Sequence, residues 1–439
     1  MTKLPRCKSA VLSAAIAGLL AGPSVVLASG FALPEISTAG LGTANALVAN
    51  PEEVGAIVYN PAAMAFHEQS SWAAGALFIE PNFTVRTTSG RHDSEGANWI
   101  GAPMLQAALK LTDQWSAGLG VNAPFGLETK WSPGTFPPLT NTAALPSPPF
   151  APGSSIPLSP QPRLSKLVVL DFTPTGTYRV NDNFAVSAGA DIYLLQDAQL
   201  DSTLNKLRGD GSGWGFNLSA MYVKDAFSAG INFHSASTVQ VDGYYTPLNS
   251  TMVSLGLLQP SQGAELDLNL PWRLAVGARY EVVEDQLAVE FDFARTGWSE
   301  FDEIKIKGDI SGAVLTQDEN NWEDANAYRL GITYQVLPAT QLRLGYSYDE
   351  TGQPRDYFSP RVPDADRQLL SIGVAQDLGQ GWQVEAGYMY VKFNDNKYEG
   401  TRPYAGAGGD INGTTALAGD YEAHANLFGI EINKRFDAF

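Results

Sequence analysis

The chain has 439 residues, of which 46 are acidic and 28 are basic, giving a formal net charge of −18. Such an acidic excess argues against a nucleic-acid partner, because phosphate backbones are held by Lys and Arg. Aromatic residues make up 10% of the chain and glycines number 43, while charged residues are only 17%. This composition is unusual for a soluble enzyme and typical of a membrane barrel with aromatic girdles and a polar lumen.

Residues 1–28 have the features of a secretory signal peptide. A basic start is followed by an apolar run from Ala10 to Leu20, and Val26-Leu27-Ala28 forms the predicted cleavage site. The run is shorter than the ~20 residues of a membrane-spanning helix, so we expect secretion rather than anchoring. Cys7, the single cysteine of the chain, lies in this segment. The mature protein therefore has no thiol for catalysis or metal binding.

Residues 29–69, which we call the hatch segment, lack the alternation of the later chain. They are rich in small residues, and Asn60 followed by Pro61 predicts a helix start, with Asn60 capping and Pro61 at the first helical position. We expect a compact, partly helical plug seated inside a barrel. The residues singled out for this role are Gly30, Phe31, Gly40, Gly42, Asn60, Pro61 and Ala62.

Alternation begins at Ser70 and continues through residues 70–439, which we assign to the barrel. From Phe184 to Leu194, apolar side chains share one face and small or polar ones mostly share the other. The same period of two predicts one apolar face from Leu266 to Tyr280. Such long one-sided strands are typical of a lipid-facing wall, whereas strands of a soluble β-sandwich usually have about five or six residues.

The links between the strands alternate between short turns, such as 181–183, and long loops, such as 131–163 and 201–210. Bacterial outer-membrane barrels show this alternation. The predicted fold is therefore an all-β membrane protein, an antiparallel outer-membrane β-barrel of about fourteen strands plugged by the hatch segment. The 131–163 loop holds ten of the 27 prolines, which predicts extended polyproline there.

A break is predicted in the third strand, at Asn122, Pro124, Phe125 and Gly126. Proline offers no ladder donor, and glycine weakens or bulges a strand. In lipid, a break of this kind needs protein or a cavity around it. We interpret it as the kink that opens the barrel wall. The alternative is that the strand has already risen above the membrane and is ending.

No arrangement of residues predicts an enzyme. The four histidines lie far apart in the sequence and no GxSxG motif is present, so we predict no catalytic residue, no metal site and no cofactor. Four arginines are expected to point into the lumen and pair with carboxylates there, because burying an unpaired charge is costly. They are Arg273, Arg279, Arg329 and Arg343.

Several short motifs resemble the FadL family of outer-membrane channels for long-chain fatty acids and other hydrophobic molecules. At the start of the mature chain they are Gly30-Phe31, Gly40-Leu41-Gly42 and Asn60-Pro61-Ala62. Further motifs follow in matching order: Trp214-Gly215-Phe216, Leu268-Asn269-Leu270-Pro271, Thr296-Gly297-Trp298-Ser299-Glu300-Phe301, Ala327-Tyr328-Arg329 and Pro363-Asp364-Ala365-Asp366-Arg367. The resemblance implies a monomeric fourteen-stranded barrel that releases its substrate sideways into the membrane.

The chain departs from that family at the positions expected to contact the carboxylate headgroup of a fatty acid. Acidic residues, Asp201 and Asp318-Glu319, stand where basic residues facing a carboxylate are expected. Lys305 and Arg329 are the remaining basic candidates for ligand binding, together with Phe31.

We predict passive transport of hydrophobic substrates, with long-chain fatty acids as the first choice. A hydrocarbon channel of the same fold is the alternative, and a general diffusion porin is a second one. A lipid hydrolase is disfavoured by the missing motif. Outer-membrane lipid and the barrel assembly machinery are the expected partners besides the substrate. Phe436 and Phe439 both remain candidates for the terminal aromatic that assembly reads.

Overall fold

The computed structural model describes residues 30–96, 99–157, 159–310, 312–400 and 415–437. The predicted signal peptide and Phe439 lie outside these ranges. Within them, no helix has the length and apolar character needed to cross a membrane.

A closed antiparallel barrel of fourteen strands forms the body of the protein, as predicted. In chain order the strands are β1 Ser70–Thr87, β2 Ile100–Lys110, β3 Trp115–Lys130, β4 Pro162–Asn181, β5 Phe184–Ser202, β6 Asn205–Lys224, β7 Phe227–His234 with Ser237–Pro247, β8 Gln262–Leu270 with Arg273–Val283, β9 Leu287–Thr296 with Glu303–Gly308, β10 Ala325–Leu337, β11 Thr340–Asp349, β12 Arg367–Gly379, β13 Trp382–Phe393 and β14 Gly419–Phe436. The barrel closes where β1 pairs with β14, from Ser70 opposite Phe436 to Arg86 opposite Asp420.

Short strands and single helical turns lie in the loops. The strands are Gly90–Asp93, Thr142–Ala144, Ser155–Pro157, Val314–Glu319 and Asn396–Tyr398. The helical turns are Pro137–Thr140, Ser250–Ser254, Trp298–Glu300 and Arg355–Tyr357.

Two predictions about the loops are wrong. The 131–163 loop is folded rather than extended, because a hairpin forms within it and the Trp131 indole is fully buried, donating to the Pro360 carbonyl at 2.8 Å. The link predicted at 201–210 is a tight turn, since β5 runs to Ser202 and β6 starts at Asn205.

The wall shows the period-two pattern that the sequence predicts. In β5, Val186, Ile192 and Leu194 are exposed on the outer face, while Ser187 and Asp191 are buried on the inner face. Outside the barrel such apolar side chains face lipid, and inside it the polar ones need partners.

The prediction of a single apolar face from Leu266 to Tyr280 is wrong. The strand is interrupted at Pro271 and Trp272, and the inward phase changes there. Leu268 is buried inside the barrel, whereas Val276 and Tyr280 are exposed on its outer face. The proline removes one ladder donor and permits the change of phase.

The hatch segment lies inside the barrel. Its helix α1, Thr38–Gly42, is capped by the Ser37 side chain, and a turn of 3₁₀ helix follows at Val54–Ala56. A second 3₁₀ helix, Pro61–Phe66, has Asn60 at its cap and Pro61 at its first position. The backbone of α1 approaches the wall so closely that a Cβ on Gly373 of β12 would lie 2.9 Å from the Cα of Gly42. Glycine at both positions permits this packing.

Charged groups of the wall hold the hatch segment in place. The Asp292 carboxylate accepts from the amides of Leu47 at 2.8 Å and Val48 at 3.0 Å, and Glu290 accepts from the Ala49 amide at 2.6 Å. These bonds satisfy backbone donors that would otherwise be buried without partners.

Two of the four predicted inward arginines form ion pairs with the hatch segment. Arg343 lies 2.8 Å from Glu53 of the segment and 2.5 Å from Glu385 of the wall. Arg279 pairs with Glu52 at 3.0 Å and with Glu281 at 3.2 Å.

Candidate functional site

The ladder between β2 and β3 is incomplete. It runs from Leu105 opposite Val121 to Lys110 opposite Ser116, and the rest of β3 has no β2 partner in the described part of the chain. On its other side, the register of β3 with β4 shifts between Asn122 and Phe125. The predicted break residues thus lie where the pairing on both sides of β3 is irregular.

The start of the hatch segment pairs with the edge of β3 that has no β2 partner. Ala32 forms a bridge with Phe125, the Leu33 amide donates to the Pro124 carbonyl at 2.7 Å, and the Gly126 amide donates to the Phe31 carbonyl at 2.7 Å. An edge left open in lipid would carry unsatisfied backbone groups. Residues 31–33 supply those partners without forming a continuous wall.

Phe31 is fixed by an aromatic cluster. Its ring lies 4.7 Å from Trp298, 5.0 Å from Phe301 and 5.9 Å from Phe125, measured between centroids. The preceding residue, Gly30, has φ +67°, and a Cβ there would overlap the Trp298 and Trp322 rings. Glycine is therefore required at this position.

Asp364 of the outer loop holds the same end of the hatch segment. Its carboxylate accepts from the Gly30 amide at 2.9 Å and from the Thr351 hydroxyl at 2.6 Å. Burial raises the pKa of Asp364 above its ordinary value.

The outer cavity lies above Phe31 and has an empty volume of about 930 Å³, counting the part that opens to solvent. Its wall is mainly aliphatic and comes from the seven strands β3 to β9 and from the outer loops. Representative lining residues are Leu127, Leu195, Leu207, Leu266, Leu268 and Ile304. A cavity of this size and character suits an apolar ligand.

A few polar groups border the outer cavity. Arg361 donates to the Ser165 hydroxyl at 3.2 Å and to the Asp201 carbonyl at 3.0 Å, and it forms no ion pair with any described residue. Arg208 is bound by the Asp201 carboxylate, and Lys166 lies 2.9 Å from Asp197. Within the part of the chain that the structure describes, Arg361 is thus the basic group of this cavity whose charge is not matched by a neighbouring carboxylate.

Two neutral donors also border the cavity. Asn320 Nδ2 and Trp322 Nε1 are buried and have no hydrogen-bond partner among the described residues. Such groups can donate to a polar ligand atom.

Sequence reasoning missed Arg361 because it lies on the loop between β11 and β12, far from the positions where a basic residue was expected. Asp201 lies near the expected position, but its carboxylate forms an ion pair with Arg208.

The two predicted basic candidates are not brought together. Lys305 lines neither cavity, because the alternation of β9 turns Ile304 and Ile306 inward, and its ammonium group lies 3.7 Å from Glu303. Arg329 lines a separate inner cavity and donates to the Asn45 carbonyl at 3.5 Å.

The inner cavity has an empty volume of about 790 Å³ and lies between the hatch segment and the wall. Ala32, Leu33 and Pro34 border it on one side, and Pro124 of the β3 break also lines it. Phe31 borders the outer cavity, so residues 31–33 separate the two spaces.

Glu35 lies beside the inner cavity, fully inside the protein. Its carboxylate accepts from the Asn45 side-chain amide at 2.8 Å. Burial raises the pKa of Glu35 from its ordinary 4.5 to about 6, an effect that the nearby Arg367 partly offsets.

A folded-state pKa above the ordinary value means that Glu35 favours folding when protonated. Its contribution to the free energy of unfolding is complete below pH 4.5 and is lost as the pH rises through about 6. The shift corresponds to about 2 kcal/mol. We expect the difference in unfolding free energy between Glu35→Gln and the parent to increase by about that amount from pH 4 to pH 7. Urea unfolding in lipid vesicles at both pH values measures it, and a difference independent of pH would contradict the assignment.

The sequence profile of the family described as "Outer membrane protein transport protein (OMPP1/FadL/TodX)" matches residues 19–139 and 153–436. The chain belongs to this family. FadL-type proteins with this profile are outer-membrane transporters of hydrophobic compounds, not enzymes, and the chain is accordingly an outer-membrane protein.

Two relatives match almost the full chain. The "Long-chain fatty acid transport protein" of Escherichia coli O6:H1 is 26% identical over 93% of this chain and 94% of that protein. The "47 kDa outer membrane protein" of Pasteurella multocida is 25% identical over 99% of this chain and 100% of that protein.

Solved structures share the fold. A Pseudomonas aeruginosa FadL homologue aligns with a TM-score of 0.77 at 17% identity, covering 93% of this chain and 100% of its own. The P. putida toluene transporter TodX aligns with a TM-score of 0.66 at 14% identity, covering 92% of this chain and 100% of its own.

Proposed function

We propose that this protein carries long-chain fatty acids across the outer membrane by passive diffusion and releases them sideways at the β3 break. The observation that carries the proposal is the outer cavity. It combines an aliphatic wall with Arg361, a cation that has no ion-pair partner among the described residues. The fatty-acid transport protein of E. coli O6:H1 supports the same substrate class.

The aliphatic wall supplies affinity for the hydrocarbon chain. Each buried CH₂ contributes about 0.8 kcal/mol, so affinity increases with chain length until the cavity is filled. Arg361 supplies the partner that a carboxylate needs once it leaves water, because a buried unpaired charge is costly. Asn320 and Trp322 offer additional donors beside it.

Movement of residues 31–33 connects the outer cavity to the wall. These residues separate the two cavities and also occupy the β3 edge. When residues 31–33 move away from the β3 edge, the inner cavity is joined to the outer one and Pro124 faces an interrupted ladder. The signal peptide, the gating role of the hatch segment, the monomeric state and recognition by the barrel assembly machinery belong to the same proposal.

Competition binding on the purified protein tests the substrate class. We expect Arg361→Gln to weaken binding of a long-chain acid about ten-fold, because a hydrogen bond to a charged group contributes roughly 1.5–3 kcal/mol. Binding of the methyl ester and of an alkane of equal length should not change. Arg355→Gln is the matched control, since Arg355 lies on the same loop, is exposed and lines neither cavity.

Equal weakening of acid and ester in Arg361→Gln would rule out a headgroup role for Arg361. A parent that binds toluene or the alkane more tightly than the acid would replace the fatty-acid proposal with the hydrocarbon channel. An assembled parent with the conductance of an open pore would favour the general porin instead.

A further inference from the structure

The inner cavity contains a cluster of arginines. Arg273 of β8, Arg295 of β9, Arg329 of β10 and Arg367 of β12 all line it, although they lie on different strands. Arg295 is held by Asp324 at 3.2 Å and Asn326 at 2.9 Å. The other three have unused hydrogen-bonding capacity.

That capacity consists of buried donors. Arg273 Nε, Arg329 Nε, and both Nε and Nη1 of Arg367 have no hydrogen-bond partner among the described residues. Arg329 is 8% exposed and Arg367 is 1% exposed, so bulk water is distant from both side chains. A guanidinium presents five donors in a planar fork that fits a carboxylate, and leaving its buried donors without acceptors is costly.

The carboxylates of the described residues do not use up these donors. Arg367 lies 3.2 Å from Asp349, Arg273 only 4.0 Å from Asp171, and Arg329 donates to a backbone carbonyl. Asp292 lies opposite Arg329 in the ladder, but the oxygen through which it forms hydrogen bonds accepts from two amides of the hatch segment rather than from Arg329.

We propose that Arg273, Arg329 and Arg367 form a second carboxylate-binding station in the inner cavity, between the outer cavity and the β3 break. The inference rests on the proposed function and deepens it, because it explains how an anionic headgroup crosses the interior. The carboxylate passes from Arg361 to this cluster once residues 31–33 move.

The neighbouring acids set the strength of the station. Asp349, Asp171 and Glu35 reduce its net positive charge, so an incoming carboxylate is held and then released. A substrate is conducted only when it binds strongly enough to enter a site and weakly enough to leave it again. A hydrocarbon has no group that uses these donors. The station therefore selects fatty acids over hydrocarbons during passage.

A tethered carboxylate provides the first test. Ala275 lines the inner cavity and lies two residues from Arg273 on the same strand. We expect Ala275→Asp to slow uptake of oleate about ten-fold relative to its isosteric control Ala275→Asn, because the new carboxylate occupies the donors. Uptake of methyl oleate should be equal in the two variants. Uptake is measured in cells with equal amounts of assembled barrel.

Removal of the donors provides the second test. Arg273→Gln combined with Arg329→Gln should slow oleate uptake about ten-fold and leave methyl oleate unaffected. Arg163→Gln is the matched control, since Arg163 is a part-buried arginine of β4 that lines neither cavity, and its Nη1 also has no hydrogen-bond partner among the described residues. Oleate binding to the outer cavity, measured as the Arg361-dependent part of equilibrium binding, should be unchanged in all these variants, because none of them alters that cavity.

Two outcomes would overturn the station and leave the proposed function in place. One is equal slowing of acid and ester uptake. The other is normal oleate uptake in both the Ala275→Asp variant and the double arginine variant. A parent that binds and takes up hydrocarbons but not oleate overturns both. If the double variant does not assemble, the Ala275 pair decides.

Discussion

Deleting residues 29–66 from the mature chain is expected to leave an assembled barrel with the ion conductance of an open porin. The segment lies inside the barrel, and α1 is in backbone contact with β12. The barrel itself is closed by pairing of β1 with β14, which does not involve the deleted residues. Arg343 keeps its wall partner Glu385, so the deletion does not leave that buried cation unpaired. Water can then hydrate the remaining inward charges.

Planar-bilayer recordings of the purified deletion variant measure this effect, and heat-modifiability on gels reports assembly. A variant lacking residues 142–157 is the control, because these residues belong to an outer loop and line neither cavity. It should conduct as little as the parent. An assembled hatch deletion with the parent's low conductance would show that the segment does not plug the barrel.

Replacing Pro124 with Val and Gly126 with Thr is expected to reduce uptake of a hydrophobic substrate to the background of cells without the protein. Both new residues favour strand pairing, and Val restores the amide that proline lacks. A more regular β3 can extend its ladder with β2 beyond Val121, the residue at which it now ends. Closing the wall removes the sideways route while leaving the outer cavity available.

The chain contains a matched control for this experiment. Pro174 and Gly176 of β4 have the same spacing, lie in a strand and line neither cavity. The same Val and Thr substitutions there should leave uptake normal. Normal uptake by an assembled Pro124→Val, Gly126→Thr variant would refute the lateral route.

Local sequence signals predicted the barrel wall well. Alternation with period two is a property of each strand alone, which is why the fourteen strands were counted correctly. Pro124 and Gly126 mark a break for the same local reason. The change of phase at Pro271 was missed, because the apolar residues before and after it continue the same spacing.

The partners of the polar residues could not be predicted, because each pairing joins distant parts of the chain. Arg361 reaches Ser165 across 196 positions, and Gly30 reaches Asp364 across 334. Sequence alone suggested Lys305 as a ligand-binding residue, yet its position within β9 turns it away from both cavities.

Periodicity and backbone chemistry within a few neighbouring residues are enough to predict the barrel, its outer-membrane class and the position of the break in β3. The folded barrel is needed to show which cation lacks a counterion among the described residues, how residues 31–33 divide the interior, and that three arginines from separate strands converge beside the break. Those features depend on barrel closure, which brings side chains from many strands into one enclosed lumen where an unpaired charge is costly.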